Sequence, residues 1–284
     1  MATNQMRREA AKRKLERQQE RRVQQAKRRR QVAVITSVAV VVVVLVGGVV
    51  LSTLGGTENP AAPPADPATA AVTPASIPTE IVPLPTRLTP LPATVNCDYA
   101  AEQTPPAKPV QLPPAADVSA RGTVPVTLQT SAGAITLTLD RALAPCTVNS
   151  FVSLAQQGYF TDTPCHRLTT APGLQVLQCG DPTGSGSGGP GYTIPDEIFP
   201  ELAYGRGILA MANTGQPNSG GSQFFMVYGD GQLPPSYTAF GVISPEDLQV
   251  IDQIARNGHD GSFDAGAGGG RPIDPVIITG ATIG

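Results

Sequence analysis

The sequence predicts a mostly β domain in the second half of the chain, preceded by a membrane-spanning helix and a linker. Three observations support this prediction. Apolar and polar residues alternate from residue 124 onward, the 23 residues at 32–54 carry no charge, and 15 of the 66 residues at 55–120 are proline. A chain of 284 residues could hold two domains, but Gly and Pro are so unevenly distributed that one globular domain is expected, at 121–284.

Basic residues are concentrated at the start of the chain. Residues 1–31 contain 12 of the 20 Lys and Arg residues, although the net charge of the whole chain is only −2. Such a segment could be a nucleic-acid-binding arm, but beside an apolar run it is more typical of an orientation signal that contacts anionic lipids. We therefore expect a cytoplasmic tail at 1–31 and no nucleic-acid partner.

The uncharged run from Val32 to Leu54 predicts a transmembrane helix, because its 23 residues can cross a hydrocarbon core of about 30 Å. A cleaved signal peptide is the alternative, but its apolar region usually has about 7–15 residues and its basic region is short. Basic flanks remain in the cytoplasm. We therefore expect a single-pass protein of the cell membrane with its amino terminus inside and residues 55–284 extracytoplasmic.

Residues 55–120 predict a disordered linker. Their Pro, Ala and Thr residues cannot form a core of their own and favour an extended polyproline II conformation. Cys97 interrupts this composition, which suggests that the end of the linker is attached to the following domain.

The domain begins with a predicted hairpin and a predicted helix. Residues 124–129 and 134–139 alternate on either side of a short turn, which is typical of two strands with one buried face. Val148, Phe151, Val152 and Ala155 then share one face at helical spacing. They predict a short helix.

The rest of the domain predicts more short strands and a second helix. Residues 244–247 have the N-cap, first-turn proline and acidic N3 position of a helix start, and Gly258 provides a stop. Periodicity alone therefore indicates a mostly β domain with two short helices. Apolar runs between Gly- and Pro-rich loops predict strands at 176–178, 207–212, 224–228, 239–243 and 275–279.

Four short motifs lie in the middle of the domain. They are His166-Arg167, Gln178-x-Gly180-Asp181, Met211-Ala212-Asn213 and Gly221-Ser222-Gln223-Phe224-Phe225. In this order and at about this spacing, they resemble the signature of cyclophilin-type peptidyl-prolyl isomerases. The resemblance covers roughly 124–284. It implies an enzyme that isomerises X-Pro bonds and a closed antiparallel cyclophilin-like β-barrel capped by two short helices.

All four cysteines, Cys97, Cys146, Cys165 and Cys179, lie on the predicted outer side, where disulfides can form. Three pairings are possible. The resemblance places Cys165 and Cys179 on neighbouring strands and so implies the pairs Cys165–Cys179 and Cys97–Cys146. Metal binding is the weaker alternative, because the chain has no Cys-x-x-Cys motif and only two histidines, so no metal site is expected.

The resemblance implies catalytic roles for Arg167 and Gln178. The Arg167 guanidinium would act on the prolyl nitrogen and a neighbouring carbonyl, and Gln178 would orient it; the alternative is a surface arginine in an ion pair. His166 is expected to hold the local backbone by a hydrogen bond, and for Phe225 and Leu233 plain core packing is the alternative. The implied substrate-binding residues are His166, Val176, Met211, Ala212, Asn213, Gln223, Phe225, Leu233 and Tyr237.

The chain also departs from the family pattern. It has Cys165 in place of the usual Phe before His-Arg, a longer loop at 169–175, and no aromatic residue near Leu174 and Gln175, where a pocket Phe is expected. It has no tryptophan, which many members use to bind cyclosporin. The Gly-rich residues 184–190 could suggest a phosphate-binding loop, but without a following Lys they predict a flexible surface loop beside the site.

These observations lead to two functional hypotheses. The first is an extracytoplasmic, membrane-anchored isomerase that acts as a monomer on proline-containing polypeptides, assists their folding and needs no cofactor. The alternative is a cyclophilin-fold peptide-binding or holdase module with weak or no isomerase activity, since pocket aromatics are missing. The presence of Arg167, Gln178, Asn213 and Phe225 favours the isomerase.

Overall fold

The computed structural model describes residues 70–284. The predicted tail at 1–31, the predicted span at 32–54 and the first part of the predicted linker lie outside this range. Within the described range, no helix combines the length and the apolar character that crossing a bilayer requires.

The described part of the chain is mostly β with two helices, as predicted. The helices are α1 (Pro145–Gln156) and α2 (Leu248–Asn257). The strands are β1 (Thr94–Val95), β2 (Ala100–Ala101), β3 (Val118–Ser119), β4 (Thr123–Thr130), β5 (Gly133–Asp140), β6 (Thr163–Pro164), β7 (Arg167–Leu168), β8 (Leu174–Cys179), β9 (Tyr192–Thr193), β10 (Ile208–Met211), β11 (Phe224–Gly231), β12 (Ala239–Ile243) and β13 (Ile277–Ile283).

Nine strands form one curled antiparallel sheet in the order β6-β13-β4-β5-β12-β10-β11-β8-β7. The expectation of a closed barrel is corrected here, because the ladder ends at β6 and β7 and these strands do not pair with each other. The two edge strands are consecutive in the chain, separated only by Cys165 and His166. The polypeptide itself therefore crosses the gap that a closed ladder would fill.

The β4–β5 hairpin confirms the alternating pattern at its start. Val126 is the partner of Leu137, and Leu128 is the partner of Ile135. All four side chains are fully buried, while their neighbours along each strand are more exposed. One face of the hairpin therefore covers the core, as its period of two residues predicts.

Helix α1 packs on this core through Val148, Phe151 and Ala155, which are buried as predicted, while Val152 of the same predicted face is only half-buried. The ring of Phe151 lies 4.8 Å from that of Phe160 and 5.2 Å from that of Phe224. Aromatic contacts thus join α1 to the sheet.

The start of α2 differs from the prediction. Residues 245–247 form a turn rather than the first turn of the helix, and the N-cap is Asp247 instead of Ser244. The Asp247 carboxylate accepts the N–H of Thr136 at 2.7 Å. Because this contact joins residues far apart in the sequence, the local capping pattern could not predict it.

The described part of the predicted linker, 70–120, lies on the domain and does not form a free spacer. The Val82 N–H donates to the Arg206 carbonyl at 2.9 Å, and the Arg87 guanidinium donates to the Leu143 carbonyl. Val82 and Leu84 pack against buried residues of the domain. A proline-rich segment has no core of its own, but here the sheet supplies the apolar surface and the backbone partners.

Two disulfides join Cys97 to Cys146 and Cys165 to Cys179. These are the pairs that the resemblance implies. The first attaches the 70–120 segment to α1, where the Tyr99 hydroxyl also donates to the Cys146 carbonyl at 2.9 Å. The second joins the chain before β7 to the end of β8.

Removing the 70–120 segment should destabilise the domain. We expect a chain that begins at residue 121 to unfold about 10 °C below one that begins at residue 70, because it loses the Cys97–Cys146 disulfide and the cover over the sheet. Thermal unfolding followed by circular dichroism measures the difference. The double variant Cys97→Ser, Cys146→Ser of the longer chain shows how much of the difference in unfolding temperature comes from the disulfide. Equal midpoints for both chains would show that the segment does not stabilise the domain.

Candidate active site

A cavity of about 460 Å³ opens at the end of the sheet where β7, β8 and β11 lie side by side. It brings together nine of the eleven residues expected at a catalytic or substrate-binding position. They are His166, Arg167, Val176, Gln178, Ala212, Asn213, Phe225, Leu233 and Tyr237. Residues separated by about 70 positions in the sequence thus share one site.

Arg167 is held in place by three hydrogen bonds. It is the strand partner of Gln178, and its Nη1 donates to Gln178 Oε1 at 2.9 Å. Its Nε donates to the Gly268 carbonyl at 2.9 Å, and its Nη2 donates to the Ala267 carbonyl. A guanidinium has five N–H donors, so two of them have no partner among residues 70–284 and are available at the cavity wall. Burial lowers the pKa of Arg167, but an arginine still carries its charge at neutral pH.

A chain of amide groups continues from Arg167. Gln178 Nε2 donates to Gln223 Oε1 at 2.9 Å, and Gln223 Nε2 donates to the carbonyls of Gly186 and Gly188, each at 3.0 Å. Each side-chain amide uses its oxygen toward Arg167 and its nitrogen away from it. This order fixes the Gln178 oxygen as the acceptor for the guanidinium.

Asp181 anchors the far end of this chain. Its carboxylate accepts the N–H groups of Thr183, Gly186 and Gly188 at 2.8, 2.7 and 3.1 Å. Burial would raise the pKa of Asp181, but hydrogen bonds from the Thr183 hydroxyl and these N–H groups together hold it below its usual value. The Gly-rich loop beside the site is therefore ordered around a carboxylate, although the sequence predicted a flexible loop.

His166 does not make the backbone hydrogen bond expected of it. The side chain is buried, and among residues 70–284 neither ring nitrogen has a hydrogen-bond partner. Burial lowers the pKa of His166, so the imidazole is neutral at pH 7. The ring lines the cavity, but both of its nitrogens are buried, so it presents carbon atoms rather than a hydrogen-bonding group to the cavity.

Apolar side chains form the floor of the cavity. Val176 and Phe225 belong to a buried cluster with Ala210, and Leu233 and Tyr237 pack against this cluster. The rings of Phe225 and Tyr237 meet edge to face, with centroids 5.6 Å apart. The residues expected to receive a proline ring thus form one apolar surface.

The motif residues at 211–213 divide between the core and the cavity. Ala212 and Asn213 line the cavity, and the Asn213 amide donates to the Ser236 carbonyl at 2.9 Å. Met211 is buried in the main core and does not line the cavity. Gln223 borders a second cavity of about 210 Å³ instead. The substrate contacts expected for Met211 and Gln223 stay predictions.

Five further residues line the cavity that sequence reasoning did not assign to it. Leu174, Ser185 and Gly186 lie close to the motifs, and the Gly-rich composition at 184–190 already pointed to a loop beside the site. Phe263 and Ala267 lie in a distant loop, with no motif or periodicity to indicate their position. Across the described residues, no group of three or more His, Cys, Asp or Glu could hold a metal ion.

Comparisons with known proteins all point to one family. The family model of the cyclophilin type peptidyl-prolyl cis-trans isomerase/CLD matches residues 125–283, more than half of the chain. The chain is similar to a solved cyclophilin type peptidyl-prolyl cis-trans isomerase of Cryptosporidium parvum, at 34% identity and a TM-score of 0.51, over 57% of this chain and 98% of that one.

Two curated mycobacterial proteins are also similar. A probable peptidyl-prolyl cis-trans isomerase B of Mycobacterium tuberculosis is 48% identical over 197 residues, which cover 65% of this chain and 62% of that protein. Peptidyl-prolyl cis-trans isomerase A of the same species is 39% identical over 179 residues, which cover 57% of this chain and 92% of that protein. The matched part thus spans less than two thirds of the isomerase B relative.

The buried, neutral His166 should make stability depend on pH. Its folded pKa is lowered, whereas the unfolded chain takes up the proton near pH 6.5, so the free energy of unfolding should fall as pH decreases below about 6.5. The loss cannot exceed about 1.4 kcal/mol per pH unit for one proton. Urea unfolding of the parent and of His166→Gln at pH 7.5 and 5.0 measures it, since other groups contribute equally to both proteins. An identical pH dependence in the two proteins would contradict the prediction.

Proposed function

Because the chain belongs to the cyclophilin-type peptidyl-prolyl cis-trans isomerase family, we propose that it isomerises X-Pro peptide bonds in polypeptides. One observation carries the proposal. Arg167 is fixed by Gln178 and by two backbone carbonyls, with two N–H donors left at the edge of an apolar cavity. This arrangement suits a proline ring on the apolar floor and its peptide bond beside the guanidinium.

The proposed mechanism lowers a rotational barrier without forming a covalent bond. Amide resonance makes rotation about the C–N bond cost about 18–20 kcal/mol. When the bond twists, the prolyl nitrogen loses its conjugation and becomes pyramidal, with a localised lone pair. A cation with free N–H donors stabilises that lone pair more in the twisted state than in either planar state. The reaction moves no proton and needs neither a cofactor nor ATP.

The surrounding residues would bind and orient the peptide. Val176, Phe225 and Leu233 would receive the proline ring, while Ala212 and Asn213 would pair with the peptide backbone, as in other edge-like recognition of extended chains. Gln178 would position Arg167 through its oxygen.

We further propose that the domain works outside the cytoplasm, anchored by residues 32–54, and assists the folding of exported proteins as a monomer. The 12 basic residues before an uncharged run of 23 support this orientation. Two disulfides suit an oxidising compartment. Uncatalysed X-Pro isomerisation takes tens of seconds or longer, so such an enzyme would remove a slow step in folding.

Replacing Arg167 should abolish most activity and leave the fold intact. We expect Arg167→Ala to lower kcat by about 100-fold or more, because it removes the group that stabilises the twisted bond. Arg167→Lys should recover little, since an ammonium lacks the planar fork that the two carbonyls and Gln178 hold. The measurement is isomerisation of a proline peptide, with Arg256→Ala as the control for an exposed arginine away from the cavity.

Full activity in Arg167→Ala would overturn this mechanism. If the parent protein binds proline peptides but does not isomerise them, the holdase alternative replaces the enzyme.

The proposed orientation can be tested by protease accessibility. Protease added to intact cells or spheroplasts should remove the 121–284 domain or cut before it, while a tag placed ahead of Met1 survives. A domain that resists digestion until the membrane is opened would show that the orientation is the reverse.

A further inference from the structure

Phe263 is an aromatic ring at the cavity that belongs to none of the sequence motifs. It lies in the loop at 260–271, between α2 and β13, and lines the cavity together with Ala267 of the same loop. The ring is half-buried, and the guanidinium carbon of Arg271 lies 5.4 Å from its centroid. This contact helps to hold the ring in one orientation.

The 260–271 loop is fixed by its own hydrogen bonds. The Phe263 N–H donates to the Gly269 carbonyl, and the Phe263 carbonyl accepts the N–H groups of Gly266 and Gly268, each at 2.9 Å. Gly269 has φ +79°, and a Cβ there would lie 2.2 Å from the Leu168 carbonyl oxygen. Only glycine therefore allows the loop to approach β7 this closely. The backbone places Phe263 next to the strand that carries Arg167.

The residues at the start of β8 leave this side of the cavity without an aromatic ring. Leu174 lines the cavity, but it is aliphatic. Gln175 is buried and is held elsewhere: its Nε2 donates to the Ser76 carbonyl at 2.7 Å, and its Oε1 accepts the N–H of Asp230 at 2.9 Å. Phe263 thus supplies aromatic surface that the nearby chain does not.

Two further cavities share lining residues with the main one. Ala212 and Asn213 also border the second cavity of about 210 Å³. Leu174 borders a third, of about 330 Å³, together with Gly268 and Gly269. A peptide that pairs with Ala212 and Asn213 and places its proline in the main cavity would therefore leave toward the 260–271 loop.

We propose that Phe263 is a substrate-binding residue that packs against the side chain next to the proline, on the side away from Ala212 and Asn213. It selects peptides with a large apolar or aromatic residue at that position, because such a side chain covers the exposed part of the ring. This inference rests on the proposed isomerase function and adds a substrate preference to it.

The test uses the full-length chain and two series of peptides, in which the residue before or after the proline is Ala, Leu or Phe. We expect Phe263→Ala to lower kcat/KM about tenfold for the Phe-containing peptide of one series, mainly by raising KM. The Ala peptides should change by less than about threefold, and Phe263→Leu should lie between. Ile273→Ala, an exposed apolar residue outside the cavity, is the matched control and should change nothing.

A loss that is the same for every peptide, or no loss at all, would overturn the assignment of Phe263. The proposed function fails separately, if the parent protein isomerises none of the peptides. In that case the same peptides are compared by titration calorimetry. Weaker binding of one Phe-containing peptide to Phe263→Ala then supports the Phe263 contact, and unchanged binding to all of them overturns it.

Discussion

The pairing of Arg167 with Gln178 across β7 and β8 is the constraint on which the site depends. β7 has only two residues, too few to hold a position by its own ladder. Two further links fix β7. The Cys165–Cys179 disulfide lies next to the Arg167–Gln178 pair in the sequence, and the backbone groups of Leu168 and Gly270 donate to each other. In the proposed mechanism the guanidinium meets a twisted amide within a few tenths of an ångström, which needs such a rigid base.

A close backbone contact between Gly180 and Ser222 links the Gln-x-Gly-Asp motif to the motif at 221–225. Gly180 has φ +93°, and a Cβ there would lie 2.2 Å from the Ser222 carbonyl oxygen. The absence of a side chain lets the turn after β8 touch the start of β11, and Ser222 returns a hydrogen bond to the Gly180 carbonyl at 2.7 Å. This contact brings Gln223 within reach of Gln178. The glycine of the Gln-x-Gly-Asp motif thus has a geometric role in the amide chain that orients Arg167.

Elements whose buried residues repeat within one short segment could be predicted from the sequence. The β4–β5 hairpin and α1 are examples. Leu128 follows the two-residue period of a strand and Phe151 follows the spacing of a helix, so each pattern is visible within a single segment. Features that depend on distant partners could not be predicted. The 70–120 segment is held by Arg206 and by the sheet, and Asp247, the N-cap of α2, bonds Thr136. Arg167 itself has no local signal, and only its motif context distinguished it from a surface arginine.

The open edge of the sheet explains why these features meet where they do. In a fully closed ladder, β7 would have a strand partner on both sides, and every backbone group beside Arg167 would be used for pairing. Here one side of β7 meets the 260–271 loop instead. A loop can turn two successive carbonyls, those of Ala267 and Gly268, toward one side chain, whereas carbonyls along a strand alternate in direction. The same loop adds Phe263 to the cavity wall. The gap in the ladder therefore leaves room for this loop beside β7. Gln178 holds the Arg167 guanidinium from one side and the loop carbonyls hold it from the other, and N–H donors remain for a ligand.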